Sequence, residues 1–232
     1  MFTEYSELKK IRKKIQPHIH NTPVLTSSTF NEIAGCEVFF KCENFQRAGA
    51  FKMRGALNAV LSLTGDKRIK GVTTHSSGNF AQAVSLSAKI LGIPATVIMP
   101  STAPKVKKDA VRSYAATIIE CEPNLKSRVE TTAEFSRKTG ATILHPSDQK
   151  EVIDGNSTVC LELLEKVPDL EAIITPVGGG GLLAGTALAA KAVNPEIEVY
   201  AGEPMNADDA YWSLKKGEIQ PSINPDTIAD GL

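Results

Sequence analysis

Short apolar, β-branched runs alternate with longer amphipathic stretches through most of this chain, and no other feature constrains the fold as tightly. Residues 38–42 read as a strand, and residues 53–63 as a helix with apolar side chains at helical spacing. Further strands are expected at 71–74, 95–99, 117–120, 142–144, 172–175 and 198–201. Helices are expected between them at 79–90, 105–113, 124–138, 152–166 and 182–193, with a short one near 207–214. Such repetition predicts an α/β protein whose parallel sheets are covered by helices on both faces. Ligands in these sheets bind beyond the carboxyl ends of the strands, so function is to be sought in the strand-to-helix turns.

A length of 232 residues suits one large domain or two modest ones. Two polar stretches, 63–70 and 146–151, bracket enough strands and helices for a small domain (69–145) inserted in a larger one. Charges balance, with 26 Lys+Arg against 26 Asp+Glu, which argues against a general nucleic-acid binder. The basic cluster Lys9, Lys10, Arg12, Lys13 and Lys14 is interleaved with Leu8, Ile11 and Ile15 and reads as the solvated side of an N-terminal helix. Residues 177–190 are the longest mostly apolar stretch, too short and too rich in Gly to cross a bilayer. Residues 1–10 carry both charge signs and no apolar leader, and Cys36, Cys42, Cys121 and Cys160 show no CxxC spacing. A cytosolic protein with reduced thiols and no zinc site is expected.

Three turns can carry chemistry. In Thr175-Pro-Val-Gly-Gly-Gly-Gly181 the glycines Gly178, Gly179, Gly180 and Gly181 present no Cβ to keep an anion from the backbone N–H groups. The helix that follows adds a positive N-terminal end, so a phosphate fits there. Gly179, Gly181 and Ala184 also satisfy G-x-G-x-x-A, with Glu203 about twenty residues on, so this turn by itself admits a dinucleotide as well as a monophosphate. In Ala50-Phe-Lys-Met-Arg-Gly55, Lys52 stands between Phe51 and Met53 at a helix start. Desolvation and the positive helix end both disfavour its ammonium form, and a neutral amine is what Schiff-base chemistry needs. In Thr74-His-Ser-Ser-Gly-Asn79, two hydroxyls, an amide and several N–H groups form a cup for a carboxylate; N-capping explains one of these residues but not all. A phosphate cup, a neutral lysine and a carboxylate cup together describe pyridoxal phosphate acting on an amino acid.

At these residues the chain resembles the fold-type-II pyridoxal-phosphate enzymes of the serine racemase and serine/threonine dehydratase family. The stretches that carry the resemblance are Asn21-Thr-Pro-Val-Leu-Thr-Ser-Ser28, Phe51-Lys-Met-Arg-Gly-Ala-Leu-Asn58, Thr74-His-Ser-Ser-Gly-Asn79, Pro176-Val-Gly-Gly-Gly-Gly181, Glu203-Pro-Met-Asn-Ala-Asp-Asp209 and Thr227-Ile-Ala-Asp-Gly231. The resemblance implies two parallel-sheet, three-layer domains of the tryptophan-synthase-β-like kind, the small one inserted in the large. It implies that Lys52 forms the Schiff base, that Phe51 packs near the cofactor ring, and that Asn79 bonds the ring hydroxyl. Gly178, Gly179, Gly180, Gly181 and Leu182 would hold the phosphate. Ser76, Ser77 and Asn79 would surround the substrate carboxylate, with Asp230 near the substrate entrance. Glu203, the Ala207 carbonyl and Asp209 match the family's divalent-cation site, which suits Mg²⁺, Ca²⁺ or Mn²⁺. Ser27, Ser28, Arg47, Gln82 and Tyr114 occupy the positions of an ATP effector site, and a homodimer is implied.

Among the activities of the family, Ser77 favours racemisation. Racemisation needs a base on one face of the Cα carbanion and an acid on the other; Lys52 would serve one and Ser77 the other. The resemblance therefore implies interconversion of L- and D-serine with accompanying β-elimination to pyruvate and ammonia. A serine/threonine or 3-hydroxyaspartate dehydratase is the alternative, since Ser-Ser-Gly-Asn also occurs in the latter. The chain departs from the family pattern at Ala48, Ala50, Phe80 and Ser147, and in the run Ile153-Asp-Gly-Asn-Ser-Thr158. Relatives continue past Gly231, so the large domain (1–64 with 147–232) is expected to be C-terminally incomplete. An inert truncated homologue is the reading from a different class.

Overall fold

The structure, a computed structural model, describes residues 3–222 and 225–229. It opens with α1 (Tyr5–Ile15), which buries Leu8, Ile11 and Ile15 and turns its basic side outward. β1 (Val24–Thr26) and β2 (Phe39–Lys41) pair antiparallel across α2 (Ser28–Ala34). α3 (Lys52–Leu61) and α4 (Gly65–Lys70) follow. A four-stranded sheet is then built from β3 (Val72–His75), β4 (Ala95–Pro100), β5 (Thr117–Cys121) and β6 (Thr142–Ile143), alternating with α5 (Asn79–Leu91), α6 (Lys105–Ser113) and α7 (Leu125–Thr139). After α8 (Lys150–Asn156) and α9 (Thr158–Lys166), β7 (Ala172–Pro176) pairs parallel with β8 (Glu198–Gly202) across α10 (Gly181–Val193). α11 (Asp209–Lys216) comes last.

The order of the four-stranded sheet is β5-β4-β3-β6, and every pairing in it is parallel. Its central strands are continuous apolar or Thr runs because both faces are covered: Val72, Thr73, Thr74, Val97, Ile98 and Met99 are all buried. The chain runs from β3 to β4 and β5 on one side, then returns to place β6 on the other side of β3. The crevice beyond the ends of β3 and β6 is therefore the topological switch point, where open α/β sheets bind ligands. One core cluster joins α3, α5 and this sheet through Met53, Leu57, Phe80, Val84, Val97 and Leu144. A second joins α1, α9, α10 and the β7–β8 pair through Leu8, Leu161, Leu164, Ile173 and Ile197.

Three expectations need correction. Residues 150–166 form two helices, α8 and α9, rather than one, with Ser157 between them. The N-terminal strands are antiparallel, and β1, α2 and α4 carry too little apolar periodicity to be read from sequence; Ile69, the one apolar side chain of α4 besides its alkyl stems, is 76% exposed. β7 alternates exposed and buried residues, with Ile173 and Thr175 inside and Ile174 outside, so helices cover one face of this pair among the described residues.

The start of α3 is fixed by a buried ion cluster. Arg54 is fully buried and donates two hydrogen bonds to Glu43 (2.8 and 2.7 Å) and two to Glu162 (2.8 and 2.7 Å). Lys41 Nζ adds a third bond to Glu162 at 2.7 Å. Burial alone would push the Glu162 carboxyl up, but the Arg54 and Lys41 bonds and charges hold it below its ordinary value.

Candidate active site

Lys52 is the first residue of α3, and its amine reaches across to the switch point, where Nζ donates to the Pro146 carbonyl at 2.8 Å. Two aromatic rings flank it, Phe51 with its centroid 5.1 Å from Nζ and Phe80 at 5.8 Å. No carboxylate pairs with it among the described residues. Burial of an ammonium group without a counter-charge lowers its pKa from 10.5 to about 8. At neutral pH a fraction of the amine is therefore unprotonated and nucleophilic.

β3 ends in His75, and Ser76 and Ser77 form the turn into α5; both serines are half-buried and Asn79, the first residue of the helix, is exposed. Ser76 Oγ accepts from the Gly78 N–H at 3.3 Å. Phe80, one residue further, is the ring beside Lys52, so the amine and the Ser-Ser-Gly-Asn turn share one crevice. β6 leads into the facing turn. There His145 Nδ1 accepts from the Asp148 N–H at 2.7 Å and the Ser147 N–H at 3.3 Å, which places the ring proton on Nε2. The His75 and His145 rings stand edge to face with centroids 6.2 Å apart, and burial, followed by the charges of His145 and Arg128, lowers the His75 pKa.

The glycine turn lies on the other side of Ser147. An added Cβ on Gly179 would come within 2.4 Å of Ser147 Oγ, and one on Gly181 within 2.9 Å of the Ser147 Cα. Two of the four glycines are thus demanded by Ser147 itself. Gly180 is different: its φ of +76° favours glycine, and the space before its missing Cβ is open. The first-turn N–H groups of α10 have no intrahelical partner, and Thr175 Oγ1, just before the turn, is buried with no hydrogen bond. An open cradle of amides at a helix start, near a lysine whose pKa is lowered, fits a phosphate ester bearing an aldehyde. Lys52 and Gly178, Gly179, Gly180, Gly181 and Leu182 are the residues that could hold it.

The remaining expected sites are less complete. Both Glu203 oxygens cap α11, accepting from Ala210 N–H at 3.1 Å and Tyr211 N–H at 2.9 Å. Among the described residues no group of three or more His, Cys, Asp or Glu is arranged to hold a metal ion; the expected site at Glu203, Ala207 and Asp209 has two carboxylates and a carbonyl, and one of those carboxylates is engaged by the α11 amides. Ser27 caps α2, and Arg47 donates to the His18 carbonyl at 3.0 Å. Gln82 lies on α5 and Tyr114 follows α6; no hydrogen bond joins these with Ser27, Ser28 or Arg47 among the described residues. Asp230 lies outside the described residues. Sequence reasoning missed the Pro146 carbonyl, 94 residues from its donor, and no local signal could have found it.

The family profile described as pyridoxal-phosphate dependent enzyme matches residues 15–232. The chain is 50% identical over 228 residues to a serine racemase of Dictyostelium discoideum, a match covering 97% of this chain and 70% of that protein. It is 49% identical over 228 residues to a β-hydroxyaspartate dehydratase of Paracoccus denitrificans, covering 98% of this chain and 72% of that protein. The solved structure of maize serine racemase superposes with a TM-score of 0.97 at 44% identity, covering 100% of this chain and 70% of that one.

Proposed function

The chain belongs to the pyridoxal-phosphate dependent enzyme family, and from that premise we propose that it interconverts L- and D-serine, with accompanying β-elimination to pyruvate and ammonia. Pyridoxal phosphate, when bound, makes the substrate Cα proton acidic by drawing electrons from that carbon. Lys52 Nζ, its pKa lowered to about 8, takes or returns that proton on one face. The Ser77 hydroxyl exchanges its proton on the other, so that the two groups trade roles between the two enantiomers. Ser76 and Asn79 orient the carboxylate, and the Phe51 and Phe80 rings exclude water from the amine. Loss of the β-hydroxyl as water draws on Lys52 and does not need Ser77. The observation that carries the reading is the meeting of a half-buried Lys52, without a carboxylate partner among the described residues, with the Ser-Ser-Gly-Asn turn in one crevice.

A second reading, 3-hydroxyaspartate dehydratase, has one observation of its own. Arg128 Nε is buried without a hydrogen bond, and its charge reaches His75 beside Ser76 and Ser77, a placement suited to a second substrate carboxylate. Incubation with L-serine or 3-hydroxyaspartate, with D-serine and keto acid measured for the wild type and Ser77→Ala, separates the two. Formation of D-serine that Ser77→Ala abolishes while pyruvate persists supports the racemase; keto acid from 3-hydroxyaspartate with no D-serine at any time rejects it.

The same proposal includes a small domain spanning 69–145, a cytosolic homodimer, and, by resemblance, ATP at Ser27, Ser28, Arg47, Gln82 and Tyr114. A divalent cation at Glu203, Ala207 and Asp209 would have to compete with the α11 amides for Glu203. Magnesium is then expected to change the fluorescence of Trp212, which lies on α11 and donates to Asp208 at 2.9 Å. An unchanged spectrum at saturating magnesium counts against that site.

A further inference from the structure

Lys52 begins α3 and the glycine turn begins α10, yet the two helices are not chain neighbours; the short helix α8 lies between them. The contacts across α8 are made at the level of the backbone. An added Cβ on Gly155 of α8 would stand 2.6 Å from the Arg54 carbonyl and 2.7 Å from the Gly55 Cα of α3. One on Gly55 would stand 2.7 Å from the Val152 carbonyl and 2.6 Å from Asn156 Oδ1. On the other side, one on Gly185 of α10 would stand 2.7 Å from both the Ile153 carbonyl and the Ser157 nitrogen. Real Cβ contacts are not made at such distances, so no side chain separates the three helices at these points. Asn156, fully buried in the same seam, donates to the Gly181 carbonyl at 3.3 Å.

The same segment reaches both groups from above. Pro146 takes the Lys52 amine, and Ser147, the next residue, packs on Gly179 and Gly181. Residues 146–156 thus touch the amine and the phosphate cradle at one end and their two helices at the other.

We propose that α8, through the glycine seam Gly55–Gly155–Gly185 and Asn156, is a rigid spacer that sets the separation between the Lys52 amine and the phosphate cradle. Gly155 and Asn156 are positioning residues: Gly155 touches neither group, Asn156 meets the cradle only through the Gly181 carbonyl, and both fix the helices that carry the two groups. The inference rests on the pyridoxal-phosphate reading above. A ligand held at two points gains from the second only if the spacing matches, and a misfit of the order of an ångström costs roughly 10- to 100-fold.

The test compares pyridoxal phosphate with pyridoxal, which can reach Lys52 but has no phosphate, by visible-absorbance titration of cofactor-free protein. In the wild type the phosphate ester binds far more tightly. In Gly155→Ala the ratio of the two affinities is expected to fall roughly 10- to 100-fold, chiefly through the phosphate ester, while pyridoxal still binds. Leu164→Ala, which weakens the second core cluster away from the seam, is expected to lower stability and leave the ratio intact. An unchanged ratio in folded Gly155→Ala overturns the proposal. If that variant is insoluble, Gly185→Ala, which disturbs the α8–α10 side of the seam and is not a cradle residue, decides in the same way: an unchanged ratio overturns the proposal. A wild type that binds neither compound at Lys52 overturns instead the reading on which the proposal rests.

Discussion

Replacing Lys52 by methionine should make the cofactor-free chain more stable. The fall of its pKa from 10.5 to about 8 means that burial disfavours the ammonium form by about 3 kcal/mol relative to water. Methionine has similar length and no charge; it loses the bond to the Pro146 carbonyl, worth about 1 kcal/mol. A net gain of about 2 kcal/mol is expected at pH 7. The sign with pH follows from linkage: between pH 8 and 10.5 the unfolded lysine holds its proton and the folded one does not. Wild-type stability should therefore rise across that window, while Lys52→Met shows no such rise from this position. Urea denaturation of both proteins at pH 7 and pH 10, stripped of cofactor, measures the difference. Equal stability at pH 7, or a Lys52→Met variant that is less stable, would refute the claim that this amine is buried without a counter-charge. The variant should also abolish turnover and the shift in visible absorbance that the wild type gives on addition of pyridoxal phosphate.

Arg54→Leu should destabilise the protein by about 3–5 kcal/mol, because it leaves Glu43 and Glu162 without their bidentate partner; a urea midpoint close to wild type would argue against it. The wild-type contribution of Glu162, whose folded pKa is lowered below 4.5, is present above that pH and is lost as acid protonates the folded carboxyl. Cys160 is buried and burial pushes its thiol up to about 12, so alkylation at pH 8 should label the exposed Cys36 and spare Cys160 until the protein is unfolded. Rapid native labelling of Cys160, read by peptide mass spectrometry, would contradict its placement.

The strand–helix alternation, the helix-entry position of Lys52 and the tetraglycine turn could all be read locally, because each depends on residues within one turn or one period. Helix α5 and strand β4 were legible for that reason: their apolar faces repeat at 3.6 residues or fill a strand buried on both sides. Glu203 shows the limit: the resemblance implies a cation ligand there, but no local pattern shows that its carboxylate accepts from the Ala210 and Tyr211 amides at the start of α11. The break of 150–166 into two helices was equally hidden, since Ser157 between them keeps helical backbone angles and no breaker residue marks the junction. The sequence by itself determined which chemical groups are available: an amine, two hydroxyls, and a run of amides free of Cβ. Only the tertiary structure decided that the amine would be buried without a carboxylate, that Pro146 would hold it, and that Ser147 would press against the glycines. Those facts join residues tens of positions apart, and such pairings are set by how the helices pack, not by any period along the chain.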